Sequence, residues 1–82
     1  MNTNITVIGV GKLGLGFALL LEKNGYNILG IDINSKYVNN LNNKHIETNE
    51  PYYKELLLNS KNFRASTDLE EGIKFSNFIF IL

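Results

Sequence analysis

Cysteine is absent from these 82 residues, which excludes disulfides, thiolate metal sites and a cysteine nucleophile within the chain. A surplus of charge is missing too. Eight Lys plus Arg balance eight Asp plus Glu, a formal net charge of zero. Without a basic excess there is no electrostatic case for nucleic acid or anionic lipid, and no acidic tail suggests a solvating linker. No apolar run approaches membrane-spanning length, and Met1-Asn2-Thr3-Asn4 lacks the basic start and apolar stretch of a secretion signal. A soluble cytoplasmic protein is the expectation. The only histidine, His45, stands in a loop without a partner motif and reads as exposed. Repeats and linkers are also absent. What is plentiful is apolar side chain, 44% of the sequence, enough for one small core. A domain of this size buries only about 60–65% of its unfolded surface and is marginal alone. Asparagine is abundant, with Asn39, Asn40, Asn42 and Asn43 almost adjacent. They read as a solvated helix face that frays into a loop.

The informative stretch runs from Ile5 to Asp32. An apolar segment meets the turn Gly9-Val10-Gly11-Lys12-Leu13-Gly14, then an amphipathic segment, then a second apolar strand ending in an acid. This is the layout of a dinucleotide-binding βαβ unit. Gly9 allows a sharp turn off the strand. Gly11, without a Cβ, lets a pyrophosphate approach the backbone, and Gly14 lets the helix lie close to the sheet. The first helical turn offers unpaired N–H groups and the positive end of the dipole to the phosphates. Asp32 falls 18 residues past Gly14, where a carboxylate accepts from both adenosine ribose hydroxyls. A glycine-rich turn in an unrelated α/β domain is the competing reading. The β-rich Ile5-Thr6-Val7-Ile8 before the turn, and the acid at the expected distance, favour the nucleotide.

In chain order, residues 4–9 are expected to form a central parallel strand. A helix follows from Lys12 to Asn24, with Leu13, Phe17, Leu20 and Leu21 on one face and Gly14 and Ala18 as the small residues for close approach to the sheet. Gly25 suits the left-handed position after it. A second strand covers Asn27 to Ile31. Asn34 or Ser35 caps a second helix with Val38 and Leu41 inward. Pro51 opens a short helix whose apolar face is Tyr53, Leu56 and Leu57. Phe63-Arg64-Ala65 makes a third strand, and Thr67-Asp68-Leu69-Glu70 matches a capping box led by Thr67 for a brief helix carrying Leu69 and Ile73. Asn77 to Leu82 is a fourth, fully apolar strand. The expected fold is α/β: a Rossmann-type parallel sheet in the order 3-2-1-4, the first mononucleotide-binding half, with flanking helices. Phe78-Ile79-Phe80-Ile81-Leu82 would leave a long aromatic edge bare, an aggregation hazard. Residues 1–82 are therefore expected to be a partial NAD-binding domain of a longer protein, unstable when made alone.

These blocks resemble the N-terminal NAD-binding domain of the UDP-glucose/GDP-mannose dehydrogenase family across nearly the whole chain. The likeness rests on Ile5 through Leu15, on Gly30-Ile31-Asp32-Ile33-Asn34, and on Val38 and Leu41-Asn42. Glu50-Pro51, Ser66-Thr67-Asp68-Leu69-Glu70-Glu71 and Asn77 to Ile81 complete it. The first two blocks are common to many NAD enzymes; the later ones point more narrowly to nucleotide-sugar enzymes.

The resemblance implies oxidation of a UDP-sugar (UDP-glucose-like) C6 alcohol to the carboxylate with two NAD, in a homo-oligomeric full-length protein. It also implies a cysteine that carries the intermediate as thiohemiacetal and thioester. No catalytic residue is carried over to this chain. For NAD, Gly9, Val10, Gly11, Lys12, Leu13 and Gly14 are carried over to the pyrophosphate and Asp32 to the ribose. Two positions depart from the family. Lys12 stands where tyrosine is usual, and either contacts phosphate or remains solvated. Tyr37 replaces the usual cation five residues after the acid, so Lys36 is the residue expected near the adenosine. The glycine usual after Glu50-Pro51 is replaced by Tyr52. Two alternatives stay open: another NAD-dependent hydroxyacid or hydroxyacyl-CoA-type dehydrogenase, and a non-catalytic NAD-binding module.

Overall fold

The computed structural model describes residues 3–82. Four parallel strands, β1 (Asn4–Ile8), β2 (Asn27–Ile31), β3 (Phe63–Ser66) and β4 (Ile79–Ile81), lie in the order β3-β2-β1-β4. The helices between them are α1 (Lys12–Lys23), α2 (Ser35–Asn42), α3 (Pro51–Asn59) and α4 (Leu69–Phe75). The α/β order 3-2-1-4 expected of a Rossmann-type half is the one observed. Among the described residues no helix is long and apolar enough to cross a membrane.

β1 and β2 run in register from Asn4 opposite Asn27 to Ile8 opposite Ile31. Their interior residues are buried on both faces, as a parallel sheet under helices requires. The polar exception in β1 is Thr6, fully buried, whose hydroxyl donates to the Gly72 carbonyl at 2.6 Å. Gly72 sits so close to the sheet that a Cβ there would meet Ile31 at 2.7 Å. A buried hydroxyl with a partner costs little; here it also seats α4.

α1 buries a different face from the one expected. Leu15, Ala18 and Leu19 are buried with Gly14 and Gly16, whereas Leu13 is 84% and Leu20 43% exposed. Phe17 and Leu21 pack only at the margin of the core. Leucines almost ring this helix, so spacing of the large residues selects no face. The small residues mark it, because the backbone must come near the sheet and α3.

α4 is capped one residue later than the Thr67 box predicts. Asp68 accepts from the N–H of Glu70 at 3.0 Å and of Glu71 at 3.4 Å. Glu70 pairs with Lys74 instead of reaching back. Strand pairing accompanies the shift: β3 runs one residue further than expected, with Ser66 still opposite Ile31 and its carbonyl accepting from Asp32 N, right up to the expected cap. Leu69 and Ile73 are half exposed. α2 is capped by Asn34 as expected, with Val38 and Leu41 inward. The asparagine tract is not wholly solvated, however. The Asn42 carboxamide donates to the Ala65 carbonyl at 2.9 Å and accepts from the Ala65 N–H at 2.8 Å.

Candidate functional site

The turn after β1 is fixed by its backbone. Gly9 has φ +91°, a region that disfavours a side chain, and its N–H donates to the Ile31 carbonyl at 2.7 Å. Val10 then turns inward and is fully buried. A Cβ on Gly14 would stand 1.9 Å from the Gly9 carbonyl oxygen, so α1 approaches β1 this closely only with glycine there. A Cβ on Gly11 would meet nothing within 4 Å. Gly11 is the N-cap of α1 and has no side-chain cap bond. The helix end thus opens outward, with its first N–H groups and positive dipole end available to an anion.

That end forms one wall of an open cleft of about 890 Å³ lined by Gly11, Lys12 and Leu15. Asp32, Asn34 and Tyr37 line it as well, together with the segment Ile46 to Glu50 and Tyr53. Asp32, partly exposed at the end of β2, accepts the Asn34 N–H on Oδ1 at 3.0 Å, which engages one of its two oxygens. Burial, and then the negative charge of Asp32, push the Tyr37 hydroxyl above its ordinary value of 10.0. The phenol is therefore a neutral donor, and it donates to the Val10 carbonyl at 2.5 Å.

The cleft lining carries both signs of charge. The helix end and Lys12 are positive, and Asp32, Glu47 and Glu50 are negative. A ligand with phosphate at one end and hydroxyls or amines at the other matches these charges. The lining fits an adenosine diphosphate moiety: bare backbone at the helix end for the diphosphate, and a carboxylate in the same cleft for vicinal hydroxyls.

The structure therefore brings Gly11, Lys12 and Asp32 together in one cleft. Gly9 and Gly14 lie beneath the turn and shape it, and Val10 supplies a carbonyl to Tyr37. Leu13 is exposed and lies off the lining, so its side chain takes no part in the wall. Lys36 is exposed and also off the lining; its neighbour Tyr37 takes that place. Sequence reasoning gave no ligand role to Asn34, Tyr37, Tyr53 or the segment 46–50. Asn34 and Tyr53 carried signals only for a cap and a packing face, and residues 46–49 carried none.

Residues 3–82 match the family model of the UDP-glucose/GDP-mannose dehydrogenase family, NAD binding domain. A UDP-N-acetyl-D-mannosamine dehydrogenase of Methanococcus maripaludis is 39% identical over 74 residues, which are 87% of this chain and 17% of that protein. A glycerol-3-phosphate dehydrogenase [NAD(P)+] of Streptococcus uberis is 32% identical over 78 residues, 95% of this chain and 22% of that protein. Among solved structures, a UDP-glucose dehydrogenase from Pyrobaculum islandicum superimposes with a TM-score of 0.88 at 25% identity, covering 99% of this chain and 19% of the other. The chain thus spans about a fifth of the length of the proteins it matches.

Proposed function

Because this chain belongs to the UDP-glucose/GDP-mannose dehydrogenase family, as its NAD-binding domain, we propose that it is the cofactor-holding part of an enzyme that oxidises the C6 alcohol of a UDP-sugar to the carboxylate. One observation carries the reading: the uncapped start of α1 and the Asp32 carboxylate face the same cleft. NAD, when bound, supplies the hydride acceptor. The chain's own residues bind and orient it. The N–H groups that follow Gly11 hold the pyrophosphate, Lys12 adds a cation beside it, and Asp32 accepts from the adenosine ribose hydroxyls. The catalytic cysteine and the sugar-binding residues belong, on this reading, to sequence outside these 82 residues, in an assembly of identical copies.

Between two sugars named for relatives, UDP-N-acetyl-D-mannosamine is supported by the 39% identity of the Methanococcus enzyme, and UDP-glucose by the Pyrobaculum likeness at 25%. The higher sequence identity favours the N-acetylated sugar. An assay of the intact protein with each sugar decides, because an oxidation of this type yields two NADH per sugar. The match to glycerol-3-phosphate dehydrogenase supports a second reading, a two-electron oxidation on the same nucleotide half. One NADH per glycerol 3-phosphate, with inert UDP-sugars, would establish it instead.

The cofactor assignment has its own test. Titration with NADH and NADPH should show preference for NADH, since Asp32 repels a 2′-phosphate. Asp32→Ala should weaken NADH at least tenfold while leaving the melting temperature nearly unchanged. Equal affinity for the two cofactors, or no loss in the variant, would overturn it.

A further inference from the structure

Three hydrogen bonds run in series across the adenosine side of the cleft. The Asn34 N–H donates to Asp32 Oδ1 at 3.0 Å, and the Asn34 side-chain oxygen accepts the Tyr37 N–H at 3.1 Å. The Tyr37 hydroxyl then crosses to the Val10 carbonyl, inside the glycine turn. Val10 is fully buried and packed against Gly30, where a Cβ would meet it at 2.7 Å, so its carbonyl is held by a rigid neighbourhood. Tyr37 is partly buried and lines the same cleft as Gly11 and Asp32.

We propose that Tyr37 is a positioning residue, a strut that sets the separation between the phosphate-binding turn and the ribose-binding carboxylate. The inference rests on the NAD reading of the cleft and deepens it. A dinucleotide bound at both places needs the two anchors at one fixed spacing. Held by the strut, they are set before the ligand arrives, and the ordering cost of binding falls. Without the hydroxyl, Asp32 and the start of α2 keep their local cap but lose the tie to the turn. The hydroxyl is suited to this role because burial and the adjacent carboxylate keep it protonated, so it always donates.

The test is a double-mutant cycle on NADH affinity in the intact protein. Tyr37→Phe should weaken NADH about three- to tenfold, the range expected for one net hydrogen bond. In an Asp32→Asn background the same change should cost less than about twofold, because the anchor it positions has been blunted. Asn34→Ala should cut the chain one link away and weaken NADH similarly, and Asn34→Ser, which restores a cap acceptor, should recover it. Additive losses in the cycle, or unchanged affinity in Tyr37→Phe, would overturn the strut while leaving the cofactor reading intact. Absence of NADH binding by the unsubstituted protein would remove both. If Tyr37→Phe fails to fold, the Asn34 pair decides: loss in Asn34→Ala and recovery in Asn34→Ser support the strut, and no loss overturns it.

Discussion

The two sides of β1 differ sharply. On the side of β2, the sheet is sealed: Val7, Leu19, Leu29, Leu41 and Leu57 are buried at 1% exposure or less. On the side of β4, Phe78, Phe80, Ile81 and Leu82 are between 42% and 76% exposed. The cleft stands over the sealed side, where the turn, α1 and β2 leave little room for movement. The rigid part of the fold is thus the part that frames the cleft. The β4 side is held mainly by strand hydrogen bonds and one edge-on aromatic pair, Phe17 with Phe80 at 5.1 Å.

Paired truncations give the largest expected contrast. Leu19→Ala should destabilise by about 3 kcal/mol, through lost burial and the cavity left behind. Phe80→Ala should cost about 1 kcal/mol, the worth of an aromatic pair at a half-exposed position. Urea denaturation of both variants measures the difference, and equal losses would abolish the comparison. A smaller effect separates the two caps proposed for α4. Asp68→Ala should cost about 1 kcal/mol, and Thr67→Ala nearly nothing. The reverse order would restore the capping box led by Thr67.

The smallest effect is a pH dependence on the β3–α4 contact. Hydrogen bonds to Glu71, first from Ser66 and then from Arg64, hold its carboxyl below the ordinary 4.5. Folding thus favours the carboxylate. Its stabilisation is present above pH 4.5 and fades as pH falls through the lower, folded-state value. Its side chain is partly exposed to solvent, so screening keeps the effect small. Melting temperatures of the natural chain and of Glu71→Gln should converge on acidification; parallel curves would deny the contact any role.

Much of the fold was legible because it depends on residues with few alternatives. Gly9 at positive φ, Gly14 against the Gly9 carbonyl and Asp32 at the end of β2 are dictated by geometry that other side chains violate or cannot supply. Strand order followed from β-α-β alternation and the hand of the crossovers. What stayed hidden depends on tertiary choice. Leucines around α1 gave no unique face until α3 and the sheet claimed theirs. The cap of α4 moved together with the end of β3, which pairs one residue further. The wall at residues 46–50 has no periodicity at all, and Tyr37 could be seen only as a departure from a pattern, since its partner Val10 lies 27 residues away.

The Asn42 carboxamide has a consequence for the outer edge of β3. By offering one donor and one acceptor to Ala65, a single side chain imitates the backbone of a neighbouring strand and occupies the outward-facing N–H and C=O at that point. A further strand docking on this flank would have to evict it, so the side chain guards that point of the edge against lateral pairing.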